Sequence, residues 1–295
     1  METLTTAFGG QIRAAVSLAK ADTVITEQNV YQEGDKNILP LLDEMVGYLC
    51  LPGSGIDGLE NLEELLAKAE SGKSCLLMIE HYSNMDLSIL TYLARKAGGR
   101  GEDIANAIIA IAGMKLNEDS PVVAAFASAY TRIVIYPSRS LQSLDPENEK
   151  DKAEIARSNA INRAAMKALI RHKYKGSLVL VFPSGTRYRP WDPATKKGVR
   201  EIDSYIRSFD YMCFVALNGE ILKVQESDMM NDIVEKDIMR VTAGPVVSCD
   251  EFRENARNTS ADEDKKQAVA DAIMAELEKM HIASEEKRRR MLEKK

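Results

Sequence analysis

The feature that most constrains this chain is an alternation of short apolar runs with longer segments of helical periodicity, sustained from residue 74 to residue 247. The run Ser74-Cys75-Leu76-Leu77-Met78-Ile79 suits a buried strand, and residues 84–98 then read as a helix. Residues 106–112 read as a strand, 120–130 as a helix with Pro121 in its first turn, and 132–137 as a strand. A long polar helix over 147–174 leads to a strand at 177–182, and residues 211–219 and 237–247 supply two more. Strands separated by helices imply an α/β fold with a mixed, largely parallel sheet flanked by helices. In such sheets ligands sit beyond the carboxyl ends of the strands, so the residues just after each strand carry the functional information.

The flanks read differently. Residues 1–50 are expected to be helical, with Ile38, Leu41, Leu42, Met45, Val46 and Leu49 forming one apolar stripe. Residues 51–58, with one Pro and three Gly, break the pattern, and Asp57 could cap the helix whose stripe is Leu59, Leu62, Leu66 and Ala69. The expected division is an N-terminal helical domain over 1–57, an α/β domain over 58–260 and a C-terminal amphipathic helix over 261–295. That last helix carries the stripe Val269, Ile273, Leu277 and Met280 and ends in a mostly basic tip from Lys287 to Lys295. The tip is expected to be solvated, with contact to anionic lipid headgroups as the alternative.

Several function classes are excluded at this level. Net charge is −6, so the chain is not built to coat nucleic acid, and any anion binding must be local. The four cysteines are scattered without a C-x-x-C pair, which speaks against zinc and redox motifs and for buried free thiols. No stretch approaches the ~20 apolar residues that span a bilayer, and the first twenty residues lack the pattern of a secretory signal. A cytoplasmic location, with peripheral membrane contact at most, is the expectation.

Two stretches at strand exits carry chemistry. After the first strand come Glu80, His81, Tyr82, Ser83, Asn84, Met85 and Asp86. A tight turn would let the Asp86 carboxylate accept the Nδ1 proton of His81, leaving Nε2 free to take a proton from a hydroxyl. Taken alone, H-x4-D is equally compatible with a capped helix start beside an incidental histidine. After the strand at 177–182 come Pro183, Ser184, Gly185, Thr186, Arg187, Tyr188, Arg189 and Pro190. Residues two apart in an extended loop point the same way, so Arg187 and Arg189 can converge on a phosphate, with backbone N–H groups near Gly185 adding to the site. By themselves two arginines are slightly better explained by a solvated loop. Ser184 lacks the Gly-x-Ser-x-Gly frame of a lipase nucleophile.

Together the two stretches resemble the paired signature of the glycerolipid acyltransferase superfamily, and most of all its soluble, plastid-type glycerol-3-phosphate acyltransferases. Pro183-Ser184-Gly185 follows the plastid-type form of the arginine block, where most of the superfamily has Pro-Glu-Gly. Ile111 to Lys115 is similar to the block that frames the acceptor site, and Phe214 to Leu217 to the last, structural block. Arg139 matches the first of a basic pair that contacts phosphate, but Ser140 stands where a histidine would complete it. Glu80 stands where the family usually has Asn; a carboxylate there could raise the pKa of His81, and the sequence leaves its role open.

The resemblance implies that His81 and Asp86 are catalytic, that Arg139, Arg187 and Arg189 bind the substrate phosphate, and that Lys115, Gly185 and Thr186 line the site. It implies transfer of a fatty acyl group to the sn-1 hydroxyl of glycerol-3-phosphate, from acyl-CoA or an acyl carrier protein, without cofactor or metal. Two alternatives are a lysophosphatidate acyltransferase, using the same residues on a bulkier acceptor, and a non-catalytic acyl-thioester or lipid-binding protein. His172 is expected to be solvated and His281 to belong to the tail helix, away from the site. Arg171, His172, Lys173, Lys175, Lys196, Lys197 and Arg200 form the candidate patch for an acidic carrier.

Overall fold

The computed structural model of the chain describes residues 2–19, 24–114, 116, 120–141, 144–145 and 147–293, without the side chains of residues 138 and 139. Among these residues the first strands are β1 (Glu2–Thr3), β2 (Tyr31–Gln32), β3 (Gly55–Asp57), β4 (Cys75–Ile79), β5 (Ile108–Gly113) and β6 (Arg132–Ile135). They are followed by β7 (Leu178–Val181), β8 (Tyr211–Asn218), β9 (Leu222–Lys223), β10 (Ile233–Val234), β11 (Arg240–Ala243) and β12 (Val247–Ser248). The helices are α1 (Leu4–Leu18), α2 (Leu39–Leu49), α3 (Leu59–Glu70), α4 (Asp86–Ala97), α5 (Gly101–Ala107) and α6 (Pro121–Ser128). After them come α7 (Ser138–Leu141), α8 (Glu149–His172), α9 (Ile202–Ile206), α10 (Cys249–Thr259) and α11 (Lys265–Leu292). This is the expected α/β fold with a mostly parallel sheet, and the chain divides into two compact units, both discontinuous in sequence.

The first unit comprises Met1–Gly9, Asp43–Ile108 and Lys173–Lys295. Its sheet runs β7-β4-β8-β11-β3, with β12 also on β8. β4 lies between two parallel neighbours, β7 and β8, while β8 and β11 are antiparallel and β11 and β3 parallel. All five residues of β4 are buried, as its uninterrupted apolar sequence requires of a strand covered on both faces. Helix α3 packs on β4 and β8, and α11 on β8 and β11. A small antiparallel sheet, β1-β10-β9, belongs to the same unit.

Three local expectations are corrected in this unit. The breaker segment contains β3, and Gly58 rather than Asp57 occupies the N-cap of α3. Gly58 has φ 77°, and a Cβ there would lie 2.2 Å from the Ala243 carbonyl oxygen, so only glycine fits. Asp57 instead pairs with Arg240 and Lys287. The apolar run at 237–247 is two strands, β11 and β12, parted at Gly244 and Pro245; proline has no N–H to continue a ladder. The basic tip is not simply solvated. Arg288 is largely buried, donates through Nε to the Ile238 carbonyl at 2.8 Å, and pairs with Asp237 and Glu285.

The second unit comprises Gly10–Leu42 and Ile109–His172. Here β5 and β6 are parallel, β2 is antiparallel to β6, and α8 packs on β6. Asn162 of α8 ties the end of β6 down, accepting from the Tyr136 N–H at 2.9 Å and donating to the Tyr136 carbonyl at 3.1 Å. His172 is not solvated as expected: its ring stacks on Tyr31 with centroids 4.1 Å apart.

Among the described residues no helix is long and apolar enough to cross a membrane.

Candidate active site

The central position of β4 determines where its last residues go. The Glu80 N–H still donates to the Val215 carbonyl on β8, at 3.3 Å, and the chain then turns out of the sheet into α4. Asp86, the first residue of α4, closes that turn. Its buried carboxylate accepts the Tyr82 N–H at 2.6 Å through Oδ2, the Ser83 N–H at 2.9 and 3.0 Å, and the Ser83 hydroxyl at 2.8 Å through Oδ1. Oδ2 also lies 2.9 Å from His81 Nδ1. An ionised carboxylate only accepts, so this geometry puts the neutral imidazole's proton on Nδ1 and leaves Nε2 as a base. The His81 ring stacks on Phe182 at 3.9 Å, and 17% of the side chain remains exposed, enough for a reacting group to reach it.

The arginine loop leaves the adjacent strand, β7. Gly185, at φ 65°, lets its N–H return to the Phe182 carbonyl at 2.9 Å, and Ser184 Oγ donates to the Thr186 carbonyl at 2.7 Å. The Tyr188 N–H then donates to the His81 carbonyl at 2.8 Å. This one bond stitches the two sequence stretches together. The Arg189 N–H is held by Thr195 Oγ1 at 2.9 Å, so the loop is pinned on both sides of Arg187.

Arg187 is mostly buried, and its Nη1 lies 3.6 Å from Oδ2 of the buried Asp232, in the segment between β9 and β10. Neither atom has a hydrogen-bond partner among the described residues. Burial lowers the pKa of Arg187, Asp232 opposes that and the nearby Arg189 adds to it, yet an arginine stays charged at any working pH. Asp232 is pushed up to about 6, first by burial; the Gln225 N–H and Arg187 pull it down and Asp228 pushes it further up. The two guanidiniums therefore sense each other, and Arg187 also senses Asp86.

Of the residues singled out in the sequence, His81, Asp86, Gly185, Thr186, Arg187 and Arg189 are brought into this one region of the first unit. Lys115 lies outside the described residues, as does the side chain of Arg139, whose backbone belongs to α7. Glu80, whose role the sequence leaves open, has partners of its own. Its buried carboxylate accepts the Leu217 N–H at 2.8 Å, the Tyr82 hydroxyl at 2.8 Å and lies 3.0 Å from His281 Nδ1. His281 is thus beside the site rather than remote from it. Lys173, counted in the basic patch, is buried and bonded to the Ser208 carbonyl.

Tyr82, Ser83, Asp232 and His281 belong to the site without being expected there. Ser83 and Asp86 had a signal, because a small hydroxyl residue three positions before an acid at a helix start favours side-chain to backbone bonding. His281 also had one, as it continues the stripe Val269, Ile273, Leu277 at the same spacing. Asp232, in a loop, had none.

Compared with known proteins, residues 55–219, more than half of the chain, match the family model described as Acyltransferase. No curated protein matches the chain.

Proposed function

The chain belongs to the acyltransferase family, and from that premise we propose that it moves a fatty acyl group from a thioester to the sn-1 hydroxyl of glycerol-3-phosphate. The observation that carries this reading is the hydrogen bond from the Tyr188 N–H to the His81 carbonyl, which joins a histidine–carboxylate pair to a loop of two arginines. A phosphate-bearing acceptor on Arg187 and Arg189 would keep its hydroxyl beside the base. Bidentate guanidinium contacts suit a phosphate dianion, and the partly buried setting strengthens them.

In this scheme His81 Nε2 removes the acceptor's hydroxyl proton as the oxygen attacks the thioester carbonyl carbon. Asp86 stabilises the imidazolium that forms. Collapse of the tetrahedral intermediate breaks the carbon–sulfur bond, and the departing thiolate recovers the proton from His81. General-base catalysis of this kind is worth roughly 10²–10⁴-fold. The donor is acyl-CoA or an acylated carrier protein.

The test is thiol release by the purified protein with each donor, and with glycerol-3-phosphate or lysophosphatidate as acceptor, alongside His81→Ala and Arg187→Ala. Turnover on glycerol-3-phosphate that vanishes in His81→Ala supports the reading. Turnover on lysophosphatidate alone would move the protein to the second acylation step. No release with any pairing would overturn enzymatic transfer.

A further inference from the structure

A second histidine–carboxylate pair sits directly behind the first. His281, on α11, lies outside the matched segment, and its Nδ1 is 3.0 Å from Glu80 Oε2. The Leu217 N–H donates to that same oxygen at 2.8 Å, and the Tyr82 hydroxyl to Oε1 at 2.8 Å. The Tyr82 hydroxyl is also 3.3 Å from His281 Nδ1, and the two rings are 5.6 Å apart. Glu80 is 5% exposed, and a carboxylate so buried needs both its hydrogen bonds and a counter-charge. Among the described residues its partners supply one cation, His281.

Tyr82 connects this cluster to the chemistry. Its N–H donates to Asp86 Oδ2, the oxygen that also faces His81, and its ring meets Tyr188 of the arginine loop edge-on at 6.2 Å. Holding the Tyr82 hydroxyl therefore holds the peptide that aims Asp86. The C-terminal helix is itself well seated here, with Asn218 Nδ2 donating to the His281 carbonyl at 3.0 Å and Thr242 and Ser284 hydroxyls bonded at 2.8 Å.

We propose that His281 is a positioning residue for the acyl transfer: through Glu80 and Tyr82 it fixes the turn that aims Asp86 at His81, and it neutralises the carboxylate next to the base. The kinetic part of this proposal rests on the function proposed above; the geometric part does not. Burial alone would lower the pKa of His281, but the hydrogen bond and charge of Glu80, helped by Glu278 and opposed by Lys196, raise it overall. Protonated His281 thus adds to stability in full below the ordinary histidine range, and this contribution is lost as pH rises through its raised value. The titratable and charged groups facing it are Glu80, Tyr82, Glu278 and Lys196. Burial and Glu80 push the Tyr82 phenol far above its ordinary value, so it remains a donor throughout.

The experiment compares the full chain with His281→Ala, His281→Gln, Glu80→Gln and the double variant Glu80→Gln/His281→Ala. Two readouts are taken: the pH profile of kcat and KM, and the downfield proton resonance of the His81 Nδ1–H, assigned with His81→Ala. His281→Ala is expected to lose kcat by roughly 10- to 100-fold with KM for the acceptor unchanged, since a slightly misaimed base is costly while the arginines stay in place. Its acidic limb is expected at higher pH, because an uncompensated carboxylate beside the base favours the imidazolium. The double variant, lacking that carboxylate, is expected to restore the limb. His281→Gln keeps a donor to Glu80 but no charge, and is expected to keep the resonance while retaining the shifted limb. A folded His281→Ala with wild-type resonance and profile overturns the proposal. If the wild type turns over no substrate yet the resonance is lost in His281→Ala, the positioning role stands and the acyl-transfer reading fails.

Discussion

Asp86→Asn isolates what the carboxylate contributes. Its oxygens receive three N–H or O–H donors from Tyr82 and Ser83 and face a fourth group, His81 Nδ1. An asparagine of the same shape has one acceptor oxygen. If that oxygen serves Ser83 at the Oδ1 position, the NH₂ group opposes the Tyr82 N–H and His81 Nδ1–H. The Tyr82 amide is then buried without an acceptor, a loss of about 1–3 kcal/mol in stability. His81 meanwhile gains by moving its proton to Nε2 so that Nδ1 can accept from the amide. That tautomer cannot take the acceptor's proton, so kcat should fall by roughly 10²–10⁴-fold, the whole contribution of general-base catalysis. Urea denaturation measures the first effect and steady-state thiol release the second, with KM for the acceptor near its wild-type value. A folded Asp86→Asn protein with kcat within a few-fold of wild type would refute the assignment of Nε2 as the base.

Three further outcomes are expected. Arg187→Lys should raise KM for the phosphate acceptor roughly 10- to 100-fold, because an ammonium cannot reproduce the guanidinium fork and a hydrogen bond to a charged group is worth about 1.5–3 kcal/mol; an unchanged KM would remove Arg187 from the phosphate site. Gly185→Ala places a Cβ at φ 65° and 3.2 Å from Val199 Cγ1, so it should cost about 1–2 kcal/mol and lower kcat/KM by displacing the loop, read by denaturation and kinetics together. For Asp232, a folded-state pKa raised from 3.8 to about 6 means its contribution is complete below 3.8 and is lost as pH rises through about 6. Wild type should therefore gain stability relative to Asp232→Asn as the pH is lowered from 7 to 4, and parallel curves of unfolding free energy against pH would contradict this.

How much of this was legible depended on whether the determining interactions were local. The strand β4 and helix α4 could be read because five consecutive buried apolar residues and a helical stripe both lie within a single stretch of sequence. The turn between them was legible for the same reason: His81 and Asp86 are close in the chain and meet across one turn. Arg187 and Arg189 could be singled out as a pair, since their spacing is set by the loop's own backbone. What could not be read was every contact made across the fold. The partner of Arg187 is Asp232, in a segment with no periodicity at all. The surroundings of Glu80 are built from Leu217 and His281, so its neighbour in the chain was a poor guide to its electrostatics. The strand β3 is not legible locally because its three residues become a strand only by pairing with β11, and glycine-rich sequence argues locally for a turn. In the tail the apolar stripe is legible only as far as Met280, although Ser284 and Arg288 continue it with polar ends that find partners on the sheet.

The placement of β4 has a consequence for how the chain is made. Its residues pair with Leu178 to Val181 on one side and Tyr211 to Val215 on the other, all of which are synthesised long after it. Until then a nascent chain carries Cys75-Leu76-Leu77-Met78-Ile79 with both edges open, an uncharged, proline-free strand of the kind that adheres to other chains. Pairings so distant in sequence also close slowly. Yield in a recombinant host should therefore respond to chaperone supply and to lower growth temperature more than to the stability of the finished protein.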